Sequence, residues 1–191
     1  AQSFLMLEIE AKIKVDSHGA VRERLRHAGG EYVCRMTEVN TILDTPDRRL
    51  FSAGCGLRVR TCRGEGRVPG PTLTYKGPQH PGAVKIREEV ETEVHDAEAT
   101  VQLLNALGFV PAIVFEKRRE SWRLDGAMVE LDELPRLGCY VEIEADDEAI
   151  IQRVRETIGL SSEPTVTASY IALLIEHARA HDLPIEHVTF C

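Results

Sequence analysis

Residues 7–15 read LEIEAKIKV. Leu7, Ile9, Ala11, Ile13 and Val15 fall on one face of an extended chain, and Glu8, Glu10, Lys12 and Lys14 fall on the other. Alternation with a period of two marks a half-buried strand, because successive side chains point to opposite faces of a sheet. The polar face is unusual. A solvated strand usually carries Thr, Ser and isolated charges, whereas this one carries two acids followed by two bases.

The pattern returns along the chain. Arg58 and Arg60 lie opposite Leu57 and Val59, and Lys76 lies opposite Leu73 and Tyr75. Arg87, Glu89 and Glu91 alternate with Ile86, Glu88 and Val90, and Lys117 and Arg119 share one face. Glu130 and Asp132 alternate with Val129 and Leu131, and Glu142 and Glu144 with Val141 and Ile143. Eight strands are expected, at 7–15, 37–45, 56–61, 72–77, 84–94, 114–124, 127–134 and 139–145. Their short Gly- or Pro-marked connections favour antiparallel pairing. Helices are expected near 17–29, 96–108 (with Leu103, Leu104 and Leu107 inward), 147–158 and 164–180. RGEGRVPGP at 63–71 reads as a flexible hairpin loop, and the tail 181–191 has no periodicity. The reading is one domain over 6–180, with residues 1–5 a leftover ahead of a natural start at Met6.

An open sheet with a wet outer face would explain each strand taken singly. It does not explain like charges two residues apart, which repel and add nothing to sheet stability. A closed barrel does. About eight strands enclose room for one small ligand; the apolar faces then point outward, where amphipathic helices cover them. A cavity lined by both signs of charge is costly unless a multivalent ligand fills it. Carboxylates are the hard oxygen donors of magnesium and manganese, ions that commonly work with substrate phosphates. Arg and Lys hold phosphate oxygens, Arg with a two-pronged fork. The expectation is an α+β fold, an eight-stranded antiparallel closed β-barrel with helices outside, that binds a polyphosphate with Mg2+ or Mn2+.

The remaining features narrow the class. A net charge of −8 argues against a general nucleic-acid-binding surface, and a 43% hydrophobic content suffices for a core. Five cysteines without a CxxC pair read as reduced thiols of a cytoplasmic protein. No apolar run approaches the ~18 residues of a membrane span, so neither a membrane nor a nucleic-acid polymer is an expected partner. No GxxxxGK[ST] occurs, which removes a P-loop. His177 and His181 read as a solvated helix end, Trp122 and Tyr75 as barrel-wall packing, and Cys62 as a residue that follows the Arg58–Arg60 face.

Taken in order, the motifs Glu8-x-Glu10-x-Lys12, Arg58-x-Arg60, Lys76 in TYKGP, Arg87-x-Glu89-x-Glu91, Lys117-x-Arg119 and the late acidic strands resemble the CYTH family, the triphosphate tunnel metalloenzymes. The approach NTILDTPDRRLFSAGCGLRVR is similar as well, and the resemblance runs from residue 6 to about 175. It implies a tunnel with a C-terminal helix plugging one end. It implies metal binding by Glu8, Glu10, Glu142 and Glu144, with Glu130 and Asp132 on the same acidic strands assisting. The triphosphate would be held by Lys12, Arg58, Arg60, Lys76, Arg87, Lys117 and Arg119. Lys12, Lys76, Glu89 and Glu91 form the expected catalytic set, the two acids orienting a second metal or the basic groups. The implied activity is hydrolysis of tripolyphosphate, a nucleoside triphosphate such as ATP, or thiamine triphosphate, by a monomer or homodimer. The alternatives are a class IV adenylyl cyclase, forming cyclic AMP and pyrophosphate from ATP, and a non-catalytic polyphosphate- or nucleotide-binding protein. Two positions depart from the family pattern and bear on the substrate: Ala168 stands where a basic residue often precedes the Ser-Tyr of the last helix, and Ile42 stands in place of the tyrosine of the second strand.

Overall fold

The computed structural model describes residues 6–80 and 85–190, with the side chains of 6–8, 79–80 and 85–86 outside the description. The strands are β1 (Met6–Val15), β2 (Glu31–Asp44), β3 (Gly56–Gly66), β4 (Thr72–His80), β5 (Lys85–Glu93), β6 (Val110–Leu124), β7 (Ala127–Leu134), β8 (Gly138–Glu144) and a short β9 (His187–Val188). The helices are α1 (Gly19–His27), α2 (Arg49–Ser52), α3 (Ala97–Ala106), α4 (Glu148–Thr157) and α5 (Tyr170–His181). Neighbours pair in the order β2-β3-β4-β5-β1-β8-β7-β6, and β6 pairs again with β2, so the ladder returns to its first strand. Every pairing in that ring is antiparallel. Asp125 and Gly126, both at positive φ, close the β6–β7 hairpin, the two-residue turn that matches strand twist.

The apolar faces are covered from outside. Val21 and Leu25 of α1 and Ile151 and Val154 of α4 pack with Ala11, Ile13, Val129, Leu131, Val141 and Ile143. Leu104 of α3 covers Leu43, Leu57 and Val59. Tyr170 and Leu174 of α5 pack instead with Ile42, Phe115 and Tyr140, which share the strand faces of Asn40, Lys117 and Glu142. Asp96, Asp147 and Ser169 each cap a helix by accepting from a backbone N–H.

Several expectations need correction. The second strand starts at Glu31 instead of 37, because pairing with β6 runs to the end of both strands. β3 extends to Gly66, which shortens the loop read at 63–71. The last helix begins at Tyr170, six residues late: Thr165 bridges Ile13 and the Val166 N–H donates to the Lys12 carbonyl, so this segment is spent on the sheet. The tail supplies β9, parallel to β6. Leu103 and Leu107 are exposed, since α3 buries the stripe of Leu104 with Ala97 and Val101. Trp122 packs in the wall as expected, but Tyr75 is 39% exposed.

One strap on the outer wall has a pH signature. Glu120 accepts from Arg22 Nε at 2.9 Å, Arg22 Nη2 at 3.0 Å and Trp122 Nε1 at 2.8 Å, tying α1 to β6. Burial pushes its carboxyl up, but the Arg22 and Trp122 hydrogen bonds outweigh that and hold it below the ordinary range. A lowered folded value means a contribution present above the unfolded value and lost as pH falls through the folded one. Glu120→Gln should therefore melt below wild type at neutral pH, with the gap closing as pH falls below about 4. A gap constant between neutral and acid melts would refute this.

Candidate active site

Alternation round the ring sends one face of every strand inward. That face carries Glu10 and Lys12 on β1, Glu38 and Asn40 on β2, Arg58 and Arg60 on β3, and Thr74 and Lys76 on β4. It continues with Arg87, Glu89 and Glu91 on β5, Lys117 and Arg119 on β6, Glu130 and Asp132 on β7, and Glu142 and Glu144 on β8. A cavity of about 1120 Å3 runs between them, large for a small-molecule cleft. Its lining includes Glu10, Lys12, Arg58, Arg60, Lys76, Arg87, Glu89, Glu91, Lys117, Arg119, Glu130, Glu142, Glu144 and Tyr170. The described side chains of the expected set thus share one cavity, with Asp132 as the exception. Glu8 lies in β1 opposite Arg87, but its side chain falls outside the described residues.

The bases sit in two groups. On β3 to β5, Arg60 Nη2 donates to Glu91 at 3.3 Å, Arg58 Nη2 donates to Thr74 Oγ1 at 3.3 Å, and Lys76 Nζ lies 2.6 Å from Glu89. Burial and the neighbouring Arg60 push the Arg58 guanidinium down, a sign of crowded positive charge. Arg87 is turned to the backbone, donating to the carbonyls of Gly77 at 2.7 Å and Gly54 at 3.2 Å, so it ties β5 to β4 and to the turn before β3. On β1 and β6, Lys12 Nζ lies 3.2 Å from Glu142 and 3.6 Å from Glu10, over the Tyr170 ring at 4.2 Å. Arg119 donates from Nε and Nη2 to Asp132 at 2.7 and 2.6 Å, reaches Glu142 at 2.6 Å, and pairs with Glu130. Burial would lower the Arg119 pKa, but Asp132 and Glu38 outweigh it and raise it well above the usual value.

Asp132 is fully buried and does not line the cavity. Its oxygens accept from Arg119, from Lys117 at 3.3 Å and from the Tyr170 hydroxyl at 3.0 Å. It anchors bases from behind. Burial and then Asp132 push the Tyr170 phenol well up, so it remains a donor.

The acids that do face the cavity are stacked against each other. Glu10 stands opposite Glu144 across the β1–β8 ladder, and Glu130 opposite Glu142 across β7–β8. Like charges directly opposite destabilise a sheet, and Lys12 and Arg119, paired with Glu10, Glu130 and Glu142, offset part of that repulsion. Among the described residues no group of three His, Cys, Asp or Glu forms a ready metal centre. The donor chemistry of the block nonetheless fits a hard divalent cation: oxygen donors on three adjacent strands, beside bases suited to phosphate.

Two inward residues escaped the sequence reading. Glu38 is fully buried and lies 3.2 Å from Lys117 Nζ, while Asn40 Nδ2 donates to it at 3.2 Å. Glu38-x-Asn40 has the same spacing as the recognised pairs, but only one member is charged.

The fold and its interior define a ring of strands that keeps its chemistry inside, on bases and acids that line one cavity. The CYTH domain matches residues 6–170, and the chain belongs to that family, one of triphosphate tunnel metalloenzymes. A Methanocaldococcus jannaschii protein named as a candidate adenylate cyclase is 26% identical over 177 residues, covering 88% of this chain and 98% of the relative. A solved Pyrococcus horikoshii structure, 29% identical, superposes with a TM-score of 0.76 over 88% of this chain and 98% of that one. A Hippeastrum protein, described as a candidate adenylyl cyclase with a dominant triphosphatase activity, shares the fold at 18% identity and a TM-score of 0.69, over 93% and 97% of the two chains. Among the described residues no helix is long and apolar enough to cross a membrane.

Proposed function

We propose that the protein is a divalent-metal-dependent triphosphatase that hydrolyses inorganic or organic triphosphates inside the cavity. The observation that carries this reading is that Arg58, Arg60 and Lys76 from β3 and β4 and Lys12, Lys117 and Arg119 from β1 and β6 line a single cavity with an acid block beside them. Cations contributed by four strands, β1, β3, β4 and β6, suit a chain of several phosphates better than one phosphate. Glu10, Glu142 and Glu144, with Glu130, would hold Mg2+ or Mn2+, which supplies charge neutralisation at the phosphoryl oxygens. The bases grip the non-bridging oxygens and keep the chain extended. Phosphoryl transfer then asks mainly for position and charge. Glu89 and Glu91, held by Lys76, Arg58 and Arg60, orient the attacking water; its oxygen bonds to the terminal phosphorus, the bridging bond breaks, and the water proton passes to a carboxylate or a product oxygen. Hydrolysis requires nothing more than this cradle.

The name of the Methanocaldococcus relative favours a second reading, in which ATP occupies the same cradle and its ribose 3′-hydroxyl replaces water, attacking the α-phosphate. Incubating the protein with tripolyphosphate, ATP and thiamine triphosphate, with each metal, separates the two when phosphate is resolved from cyclic AMP. Cyclic AMP without phosphate would overturn the hydrolytic reading. Binding without turnover of any of the three would leave a polyphosphate-binding protein.

Ligand binding should also register as stability. A ligand at a hundredfold excess over Kd stabilises by about 2.7 kcal/mol. Tripolyphosphate should raise the melting temperature far more than monophosphate, because only the longer chain engages the bases of several strands together. Arg60→Ala should weaken the shift, Arg60→Lys should restore it in part, since an ammonium lacks the two-pronged contact, and Arg179→Ala should leave it alone. Equal shifts with phosphate and tripolyphosphate would contradict the cradle.

A further inference from the structure

We infer that Glu38 is a positioning residue, a buried counter-anion that sets the spacing and aim of the two basic groups facing each other across β2; this role rests on the phosphate-cradle reading above. β2 lies between β3 and β6, and Glu38 is in register with Cys62 on one side and Lys117 on the other. Its carboxylate reaches both neighbours: Oε2 lies 3.2 Å from Lys117 Nζ, and Oε1 lies 3.7 Å from Arg60 Nη1 and 3.7 Å from Arg119 Nε. All three bases line the cavity, and Glu38 does not. It stands behind them.

Its arrangement is not what a sheet would choose for stability. Glu38 is fully buried, and Oε1 accepts no hydrogen bond. A buried polar atom left in that state is a penalty, and burial alone would push the carboxyl up. Lys117, then Arg119 and Arg60, outweigh it and hold it well below the ordinary range. The residue therefore stays an anion that only surrounding cations make tolerable. Asn40, on the same face, donates to Oε2 and leaves Oε1 to the two arginines. Asp132 draws Lys117 and Arg119 toward β7, and Glu91 draws Arg58 and Arg60 toward β5. Glu38 is the opposing pull on Arg60, Lys117 and Arg119, and so it fixes where their charges stand relative to a bound chain.

The test separates aim from attraction. Glu38→Gln keeps the shape but removes the anion, so the cavity becomes more positive. Tripolyphosphate affinity, measured by calorimetry, is expected to stay within about threefold of wild type or to tighten, while kcat falls by about tenfold or more. Glu38→Asp, which keeps the charge but draws it back by one methylene, should recover part of the loss. A purely structural role would lower the melting temperature yet leave kcat of the folded enzyme and the affinity unchanged. A kcat within about threefold of wild type overturns the proposal. If Glu38→Gln does not fold, Glu38→Asp decides: kcat at the wild-type level overturns the role, and a reduced kcat with retained affinity supports it. A wild type that neither binds nor hydrolyses tripolyphosphate removes the cradle and this role together. A wild type that does both, matched by Glu38→Gln, removes only the role of Glu38.

Discussion

Arg119→Ala is expected to destabilise the protein by about 3–5 kcal/mol, a fall in melting temperature on the order of 6–20 °C for a chain of this size. The reason is what would be left behind. Arg119 makes a fork onto Asp132 at 2.7 and 2.6 Å, reaches Glu142 at 2.6 Å, pairs with Glu130, and stands 3.7 Å from Glu38. The side chains of these four acids are between 0% and 14% exposed. Removing one cation strips compensation from four buried or nearly buried carboxylates, and an uncompensated buried charge is the costly outcome. Lys117 and Tyr170 would still serve Asp132, which is why the cost stops short of the sum of the parts. Arg119→Lys should fall between, because one ammonium cannot satisfy Asp132 on two prongs and reach Glu142 as well. Adding Asp132→Asn to Arg119→Ala should recover part of the loss, since the two changes share one interaction. A melting temperature within about 2 °C of wild type for Arg119→Ala would mean that the network is surface-like in strength.

The ring itself was legible because its code is local. Alternation in residues 7–15 needs no partner to be read, and the same holds for Arg58–Arg60, Lys117–Arg119 and Glu142–Glu144. What β2 contributes was harder. Glu38 and Asn40 share a face, but an amide beside a single acid does not stand out from ordinary polar alternation. The sequence reading puts the start of α5 at residue 164, although Thr165, Val166 and Thr167 are β-branched and Ser169 is a cap residue; the segment gives its backbone to Ile13 and Lys12, a pairing set by distant strands. Leu103 and Leu107 fit a helical stripe, and only the position of α3 on β3 decides that Leu104 is the one covered. The roles within the site depend on register. Nothing local distinguishes Asp132 from Glu130, two residues apart on one face; their neighbours do. Asp132 meets Arg119, Lys117 and Tyr170 away from the cavity wall, whereas Glu130 lines it. Arg87 likewise reads as a phosphate ligand in sequence, and in space its hydrogen bonds go to the carbonyls of Gly54 and Gly77.

The acid block should behave in the opposite way to Arg119. Glu144→Gln, alone or with Glu10→Gln, is expected to lower metal-dependent turnover by about a hundredfold to a thousandfold while the fold keeps its stability. A hard-cation ligand contributes several kcal/mol of charge stabilisation at the reacting phosphoryl group, and about 1.4 kcal/mol corresponds to tenfold in rate. Stability should change little because Glu144 is exposed, where charge contacts are weak, and it faces Glu10 across the β1–β8 ladder. Neutralising one relieves a like-charge pair worth roughly 0.2–1 kcal/mol, which offsets the weakened contact between Glu10 and Lys12 at 3.6 Å. Glu142→Gln should behave differently: it also gives up contacts to Lys12 at 3.2 Å and Arg119 at 2.6 Å, so its loss of turnover should come with a lower melting temperature. Divalent metal added with tripolyphosphate should raise the wild-type melting temperature beyond tripolyphosphate alone, and the double variant should lose that increment. Measuring turnover and melting together across a metal titration tests both halves. Wild-type rates at limiting metal in the double variant would show that Glu10 and Glu144 do not hold the ion. A sharp loss of stability in Glu144→Gln would show that the facing carboxylates serve the fold after all.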